Sequence, residues 1–246
     1  MNAGTVRLDD PNRHNPYTHQ FSVGYERQLG GQMSISVDYL RKQLRDMLVQ
    51  VDLNPGLRVN TTRTGTVVRP DPNFVAAVIT SQNLGWQDYD SILLAVEKRF
   101  SRGYSFRTAY TYGKSWGNVA SNNAANPMQV GDQLNLHLNE QPSSVDRPHN
   151  LVVSGTLEVP RTGGLRISGI SRYTSGAAFT ISDSSVDPDR NGILTDPLPA
   201  GTYSGTGLNA ITVDNKGGIN GARLPNVFQL DLRLVRCIEL QGIMLH

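Results

Sequence analysis

Short segments of this chain alternate apolar and polar residues, and the connections between them have two very different lengths. In residues 20–28, Phe21, Val23 and Tyr25 alternate with Ser22, Gly24 and Glu26. The same period of two recurs in six further segments, at residues 33–40, 89–100, 104–112, 150–159, 165–173 and 228–234. Because successive side chains of a β-strand point to opposite faces, each segment predicts a strand with one apolar face. The chain is therefore predicted to be all-β, with about seven meandering strands.

The connections between these strands alternate between tight turns and long loops. Tight turns follow the first, third and fifth strands, at residues 30–31, 101–103 and 161–164. Long connections rich in Asn, Asp, Gly, Pro and Thr follow the other strands, at residues 42–88, 117–148 and 174–225. Antiparallel neighbours alternate in direction, so the turns should gather at one end of the sheet and the loops at the other. That layout is typical of a transmembrane β-barrel.

Composition agrees with this interpretation. Hydrophobic residues make up 38% of the chain and the mean hydropathy is -0.35. A barrel strand needs only every second residue to be apolar, so a low average is expected. The sequence contains no run of 18 apolar residues, which excludes a transmembrane helix. Aromatic residues at the strand ends predict interfacial girdles, formed by Tyr17, Tyr39, Tyr89, Phe100, Tyr104, Tyr112, Trp116 and Tyr173.

The last strand shows the clearest alternation. Four apolar residues (Phe228, Leu230, Leu232 and Leu234) are expected to face lipid, while Gln229, Asp231 and Arg233 face a wet interior. The alternative is a soluble β-sandwich, whose strands also alternate. Sandwiches carry turn signals every 8 to 12 residues, and loops as long as those found here are uncommon in compact domains. The pattern therefore favours the membrane barrel.

Few residues suggest chemistry. The net charge is +2 with mixed signs, so we do not expect nucleic-acid binding. Cys237 is the one cysteine, which excludes an intrachain disulfide and leaves it as a small apolar residue of a strand. The trio of Asp146, Arg147 and His149 precedes a strand, where charged residues commonly form salt bridges inside a barrel. We find no nucleophile motif or metal-binding histidine spacing, so the protein is not expected to be an enzyme.

One loop carries a metal-like pattern. Asp187, Asp189 and Asn191 occupy positions 1, 3 and 5 of a calcium-loop motif, and Gly192 follows at position 6. Position 12 is Leu198 instead of the usual glutamate, and Asp196 at position 10 could supply the missing carboxylate. Calcium is the metal that such hard oxygen ligands favour. A solvated Asp/Asn/Gly loop without metal is the alternative, and no other cofactor is expected.

Several stretches resemble TonB-dependent outer-membrane receptors, particularly the large Oar-like kind of acidobacteria. The resemblance extends from Asn15 to Leu234 and is carried by residues 15–30, 36–39, 89–104, 143–150, 173–179 and 187–192. The family usually shows Asp-x-Arg-His before a strand, and Pro148 interrupts that pattern here. Each stretch alone is only weakly specific for this family, whereas the order and spacing of the stretches together are fairly specific for it.

The resemblance implies a plugged barrel of about 22 strands that takes up a siderophore, carbohydrate or similar ligand. It also implies energy from an inner-membrane complex that acts through an N-terminal segment. We therefore expect residues 1–246 to be a partial, C-terminal barrel domain of the outer membrane, without plug or signal peptide. Its expected partners are membrane lipid and an extracellular ligand. The alternative is a soluble or surface-attached β-module that binds carbohydrate or calcium.

Overall fold

The computed structural model describes residues 4–119, 128–129, 136–194 and 196–236. Within these ranges, seven long strands form one sheet: β1 Tyr17–Leu29, β2 Met33–Asp52, β3 Val78–Ser101, β4 Tyr104–Gly117, β5 His149–Glu158, β6 Leu165–Thr174 and β7 Val227–Arg236. These seven strands contain the seven alternating segments of the sequence, apart from Val159. Cys237, which we predicted to be a strand residue, lies outside the described residues.

The long strands pair strictly in chain order, from β1 at one edge to β7 at the other, and each pair is antiparallel. This order confirms the predicted up-and-down meander. Among the described residues, β1 pairs along its length only with β2, and β7 only with β6. The sheet is therefore an open portion of a barrel, as we predicted.

Shorter elements decorate the loop end of this sheet. Val6–Leu8 runs parallel to β3, Met128–Gln129 runs parallel to β2, and Gln141–Pro142 adds to β4. Three small hairpins pair Leu57–Arg58 with Val67–Val68, Ala178–Phe179 with Ala222–Arg223, and Gly201–Ser204 with Thr212–Asn215. A 3-10 turn occupies Leu136–Asn139. None of the described residues belongs to a helix long and apolar enough to cross a bilayer.

The three tight turns lie together at one end of the sheet, as the alternation of turns and loops predicted. In the turn between β3 and β4, Arg102 has a φ of 55° and Gly103 a φ of 85°. Two consecutive positive φ values define a type I′ turn, whose twist matches that of the flanking strands. Glycine at the second position relieves the steric cost of that conformation.

The predicted bounds of the first loop, residues 42–88, are wrong. β2 continues to Asp52 and β3 begins at Val78, so the connecting loop covers residues 53–77. The register of this pair shifts between Leu44 and Met47 and again between Met47 and Val49. Because a bulge inserts an unpaired residue, it interrupts the period of two from which a strand is recognised in sequence.

A small apolar core lies where the extended β2 meets the second loop, at the loop end of the molecule. Met47, Val49 and Val119 are buried together, with Leu44, Val51 and Leu136 packed against them. No second layer of described residues covers the sheet between this core and the tight turns, where large apolar side chains are exposed. The two ends of the protein are therefore built differently: a packed loop end above a single sheet.

Candidate functional site

One face of the sheet is an apolar surface. Residues paired in register point to the same face, and one such row crosses all seven strands: Tyr25, Val37, Leu94, Tyr110, Leu151, Tyr173 and Phe228. In β7, the four predicted lipid-facing residues are 56 to 69% exposed. An exposed apolar surface of this extent indicates contact with a partner or a membrane.

The apolar surface runs diagonally across the register. Its centre in β1 is Val23, two residues before Tyr25, whereas its centre in β7 lies three residues after Phe228. Tyr25 and Phe228 belong to the same row, so the centre shifts by about 5 residues over six strand steps. With a rise of about 3.4 Å per residue and a strand spacing of about 4.8 Å, this shift corresponds to a tilt of about 30°. If the strands crossed a membrane at that tilt, the apolar surface would lie parallel to the membrane plane. The tilt is close to the 35–45° found in outer-membrane barrels.

Aromatic side chains mark the edges of this surface, with two exceptions to the prediction. Tyr39, Tyr112 and Trp116 lie near the loop end of the apolar face, and Tyr104 lies near the turns. Tyr89 instead belongs to the opposite face, because it pairs in register with Lys42 and Ser115.

Phe100 is the second exception. It lies at the irregularity between Lys98 and Ser101, and its ring centroid is 5.8 Å from the guanidinium of Arg166, a residue of the opposite face. A local shift of register at the end of β3 therefore separates Phe100 from the aromatic girdle that the sequence predicted.

Polar groups form a layer directly above the loop-end girdle. The Tyr39 hydroxyl donates to Asp90 Oδ1 at 2.6 Å, and Arg41 lies 3.8 Å from the same oxygen. Arg45 Nη1 lies 2.5 Å from Asp88 Oδ1. An apolar band, an aromatic girdle and then an ionic layer match the order of hydrocarbon, interface and headgroups in a bilayer.

The opposite face carries cross-strand ion pairs. Glu97 and Arg107 approach within 4.0 Å, Glu158 and Arg166 within 3.6 Å, and Arg172 and Asp231 within 3.6 Å. Each pair joins neighbouring strands and is well exposed, so its contribution to stability is small. This polar face suits the water-filled or plugged interior of a barrel. The inward position predicted for Asp231 agrees with its pairing in register with Ile170, on the face opposite Leu230 and Leu232.

The long loops are tied to one another by buried ion pairs. Asp146 is almost fully buried, pairs with Arg223, and accepts a hydrogen bond from the Ser115 backbone. This contact joins the second and third loops. Arg58 Nε lies 2.8 Å from Asp187 Oδ2, which joins the first and third loops. Sequence patterns missed both arginines, because each partner lies far away along the chain and nothing local distinguishes these two from the other arginines.

The trio before β5 does not form one site. Asp146 forms a salt bridge with Arg223 of the third loop, whereas Arg147 donates to the Ser175 carbonyl oxygen. His149 lies on the apolar face, where its Nδ1 is 2.7 Å from the Tyr110 hydroxyl and its ring is 5.2 Å from that of Tyr112. The three side chains therefore have separate structural contacts.

The metal-like loop brings three of its four predicted ligands together. Oxygen atoms of Asp187, Asp189 and Asp196 lie within 4.8 Å of one another. The fourth residue, Asn191, donates from Nδ2 to Asp189 Oδ2 at 2.9 Å and accepts from the Ile193 backbone N–H at 2.7 Å. Its amide thus orders the turn. Asp183, a carboxylate of the same loop, accepts two hydrogen bonds from Ser185, and the hydroxyl donor lowers the pKa of Asp183 most.

The segment before β1 is fastened to β2 by a histidine. His14 Nε2 lies 2.8 Å from Asp46 Oδ2, and this hydrogen bond raises the pKa of His14 above 6.5. The backbone N–H of His14 donates to Asn83, whose amide donates back to the carbonyls of His14 and Asp46. Asp46 itself has a φ of 56° at the irregularity in β2. The histidine therefore docks the N-terminal segment onto the bulge.

A tilted apolar band, girdles at its edges, a polar opposite face and long loops at one end define a transmembrane β-barrel protein. Residues 2–239 match the family described as outer membrane beta barrel domain. The chain belongs to this family, and its location is the outer membrane. No curated protein matches the sequence.

Among solved structures, the chain is similar to the outer membrane transporter YddB from Escherichia coli. The match has a TM-score of 0.53 at 13% sequence identity and covers 94% of this chain. At this identity the likeness shows a shared fold. The chain corresponds to 28% of the length of that transporter.

Proposed function

We propose that these strands form part of the barrel of a TonB-dependent receptor that takes up a ligand across the outer membrane. The observation that carries the proposal is the open meander. In the described part of the chain, β1 and β7 each have one edge without a neighbouring strand along its length, which would expose backbone hydrogen-bonding groups to lipid. Further strands must therefore close the barrel in the membrane. The likeness to a much longer outer membrane transporter supports a large barrel of that kind.

In this proposal, the ligand binds to the three long loops that the buried ion pairs join. The buried pairs Arg58–Asp187 and Asp146–Arg223 hold the loops in one arrangement, and a preorganised surface loses less entropy when a ligand binds. A siderophore, a carbohydrate or a similar molecule is the expected ligand class. Energy would come from the inner-membrane complex through a segment outside these strands. The role is non-enzymatic, and no nucleic acid takes part.

The rival function, a soluble or surface-attached module that binds carbohydrate or calcium, has weaker support. The apolar face is broad, exposed and aligned with the tilt of a membrane barrel. A soluble module would have to cover this face with a second layer. Membership of an outer-membrane barrel family also favours the receptor.

The topology can be tested on intact cells that express the complete gene. We would replace Cys237 by serine, then introduce one cysteine at Thr64, in the first loop, or at Arg102, in a tight turn. A membrane-impermeant maleimide should label Thr64→Cys on intact cells and Arg102→Cys only after the outer membrane is permeabilised. Labelling of both positions on intact cells, or of Arg102→Cys alone, would contradict the proposed orientation.

The energy coupling can be tested by growth. Strains that lack this gene, or the inner-membrane coupling complex, should fail on the same nutrient when it is scarce, whether siderophore-bound iron or an oligosaccharide. If deletion of the gene impairs uptake and deletion of the coupling complex does not, the protein is a passive channel and the TonB-dependent part of the proposal is wrong.

A further inference from the structure

The carboxylate cluster in the third loop has the dimensions of a calcium site. The ligand oxygens of Asp187, Asp189 and Asp196 are within 4.8 Å of one another. Two oxygens on opposite sides of a bound ion are separated by twice the metal–oxygen distance. That separation is about 4.8 Å for calcium, with bonds of about 2.4 Å, and at most about 4.2 Å for magnesium. The oxygens therefore lie close enough together to share one calcium ion.

A buried oxygen in this cluster has no hydrogen-bond donor. The Asp187 side chain is fully buried, and its Oδ2 is occupied by Arg58 at 2.8 Å and by the Gly192 backbone N–H at 3.0 Å. Its Oδ1 has no hydrogen-bond partner among the described residues. A buried carboxylate oxygen without a donor is costly, so such atoms are rarely retained without a ligand. A cation bound by the cluster would satisfy this oxygen.

The backbone holds the turn in the required shape. Gly192 has a φ of 85°, and a side chain at this position would collide with the carbonyl oxygen of Gly56 in the first loop. The Asp187 backbone N–H donates to the Thr61 carbonyl oxygen at 2.8 Å. The first loop therefore supports the turn that carries Asp187.

We propose that Asp187, Asp189 and Asp196 bind one calcium ion, which fastens the third loop and, through Arg58 and Thr61, the first. The loops lie on the extracellular side in the topology above, where calcium is abundant. Sites in extracellular modules have dissociation constants of about 10⁻⁴ to 10⁻³ M, and we expect that range here. The site requires only that the loops fold, so it is independent of transport and of the energy source.

The test is calorimetric titration of the complete, detergent-folded protein with calcium chloride. We expect one site per chain and at least tenfold weaker binding of magnesium. Asp189→Asn and Asp196→Asn should each weaken calcium binding at least tenfold. Asp183→Asn is the matched control, because Asp183 lies in the same loop, is held by Ser185 and is outside the cluster. This control should bind calcium as the wild type does.

A second measurement distinguishes loss of calcium binding from misfolding of the variants. Asp189 is exposed, so Asp189→Asn should leave the far-ultraviolet spectrum unchanged while abolishing calcium protection of the third loop against proteolysis. Absence of binding up to 10 mM calcium (about ten times the weakest expected constant) would overturn the proposal. So would unchanged affinity in both cluster variants, or equal loss of affinity in Asp183→Asn.

Discussion

The membrane assignment can be tested at two adjacent leucines of β3. Leu94 belongs to the apolar row and pairs in register with Val37 and Tyr110. Leu93 points to the opposite face and pairs with Asp38 and Thr111. The two residues have the same chemistry and nearly the same depth, so replacing each by arginine isolates the effect of the face.

The magnitudes follow from the neighbours. An arginine at Leu94 would place a charge in the centre of the apolar band, which costs about 2 to 4 kcal/mol in a lipid-facing strand. An arginine at Leu93 would stand opposite Asp38, and a cross-strand pair of opposite charges contributes about 0.2 to 1 kcal/mol in its favour. The two variants should therefore differ by about 2 to 5 kcal/mol, which is a factor of roughly 30 to 5,000 in the folding equilibrium.

The assay is reversible unfolding of the complete protein in lipid vesicles, followed by denaturant titration and by heat-modifiable migration on a gel. Leu94→Gln and Leu93→Gln are controls for the loss of the leucine side chain. Equal destabilisation by the two arginine variants would refute the assignment of the faces. Greater destabilisation by Leu93→Arg would mean that lipid contacts the face that contains Leu93, which is the reverse of the assignment.

Three further outcomes are expected. Arg58→Ala should leave Asp187 as an unpaired buried charge, costing about 3 to 5 kcal/mol, and hydrogen exchange at the Asp187 amide should accelerate. Gly192→Ala should destabilise the same loop by more than about 1 kcal/mol, because alanine is strained at positive φ. The matched change Gly30→Ala should be nearly neutral in the same exchange measurement, since its side chain would meet nothing within 4 Å. His14 has a raised pKa, so its attachment to β2 should be complete below about pH 6.5 and weaken as pH rises through the raised value. The protection factor of the Val6 amide (its intrinsic exchange rate at each pH divided by the observed rate), measured between pH 5 and 8, should fall accordingly, and His14→Gln should abolish this pH dependence.

Each of these outcomes has a clear opposite. Unchanged exchange in Arg58→Ala, together with the same rate in a control such as Arg63→Ala, would show that the ion pair does not hold the loop. Equal effects of Gly192→Ala and Gly30→Ala would contradict the collision with the first loop. A protection factor at Val6 that does not change with pH in the wild type would mean that His14 does not fasten the N-terminal segment.

The sequence by itself determined the strands, their faces and their order. A period of two is a local property, so Phe228 to Leu234 revealed one apolar face without any tertiary information. Tight turns also act locally, because Arg102-Gly103 needs only two positive φ values to reverse the chain. The alternation of turns with loops then fixed which ends of the strands lie together.

Only the tertiary structure decided the contacts that depend on residues far apart in the chain. Bulges near Met47 break the period of two, so the extent of β2 and β3 could not be read from alternation. The sequence indicated the spacing of the aspartates in the calcium-like motif. The structure places Asp187, Asp189 and Asp196 together, whereas the Asn191 amide forms hydrogen bonds within the turn. It also supplied Arg58 from another loop as the partner of Asp187. Burial and charge pairing arise from packing between distant segments. A local sequence pattern therefore cannot identify the distant residue that will become the partner.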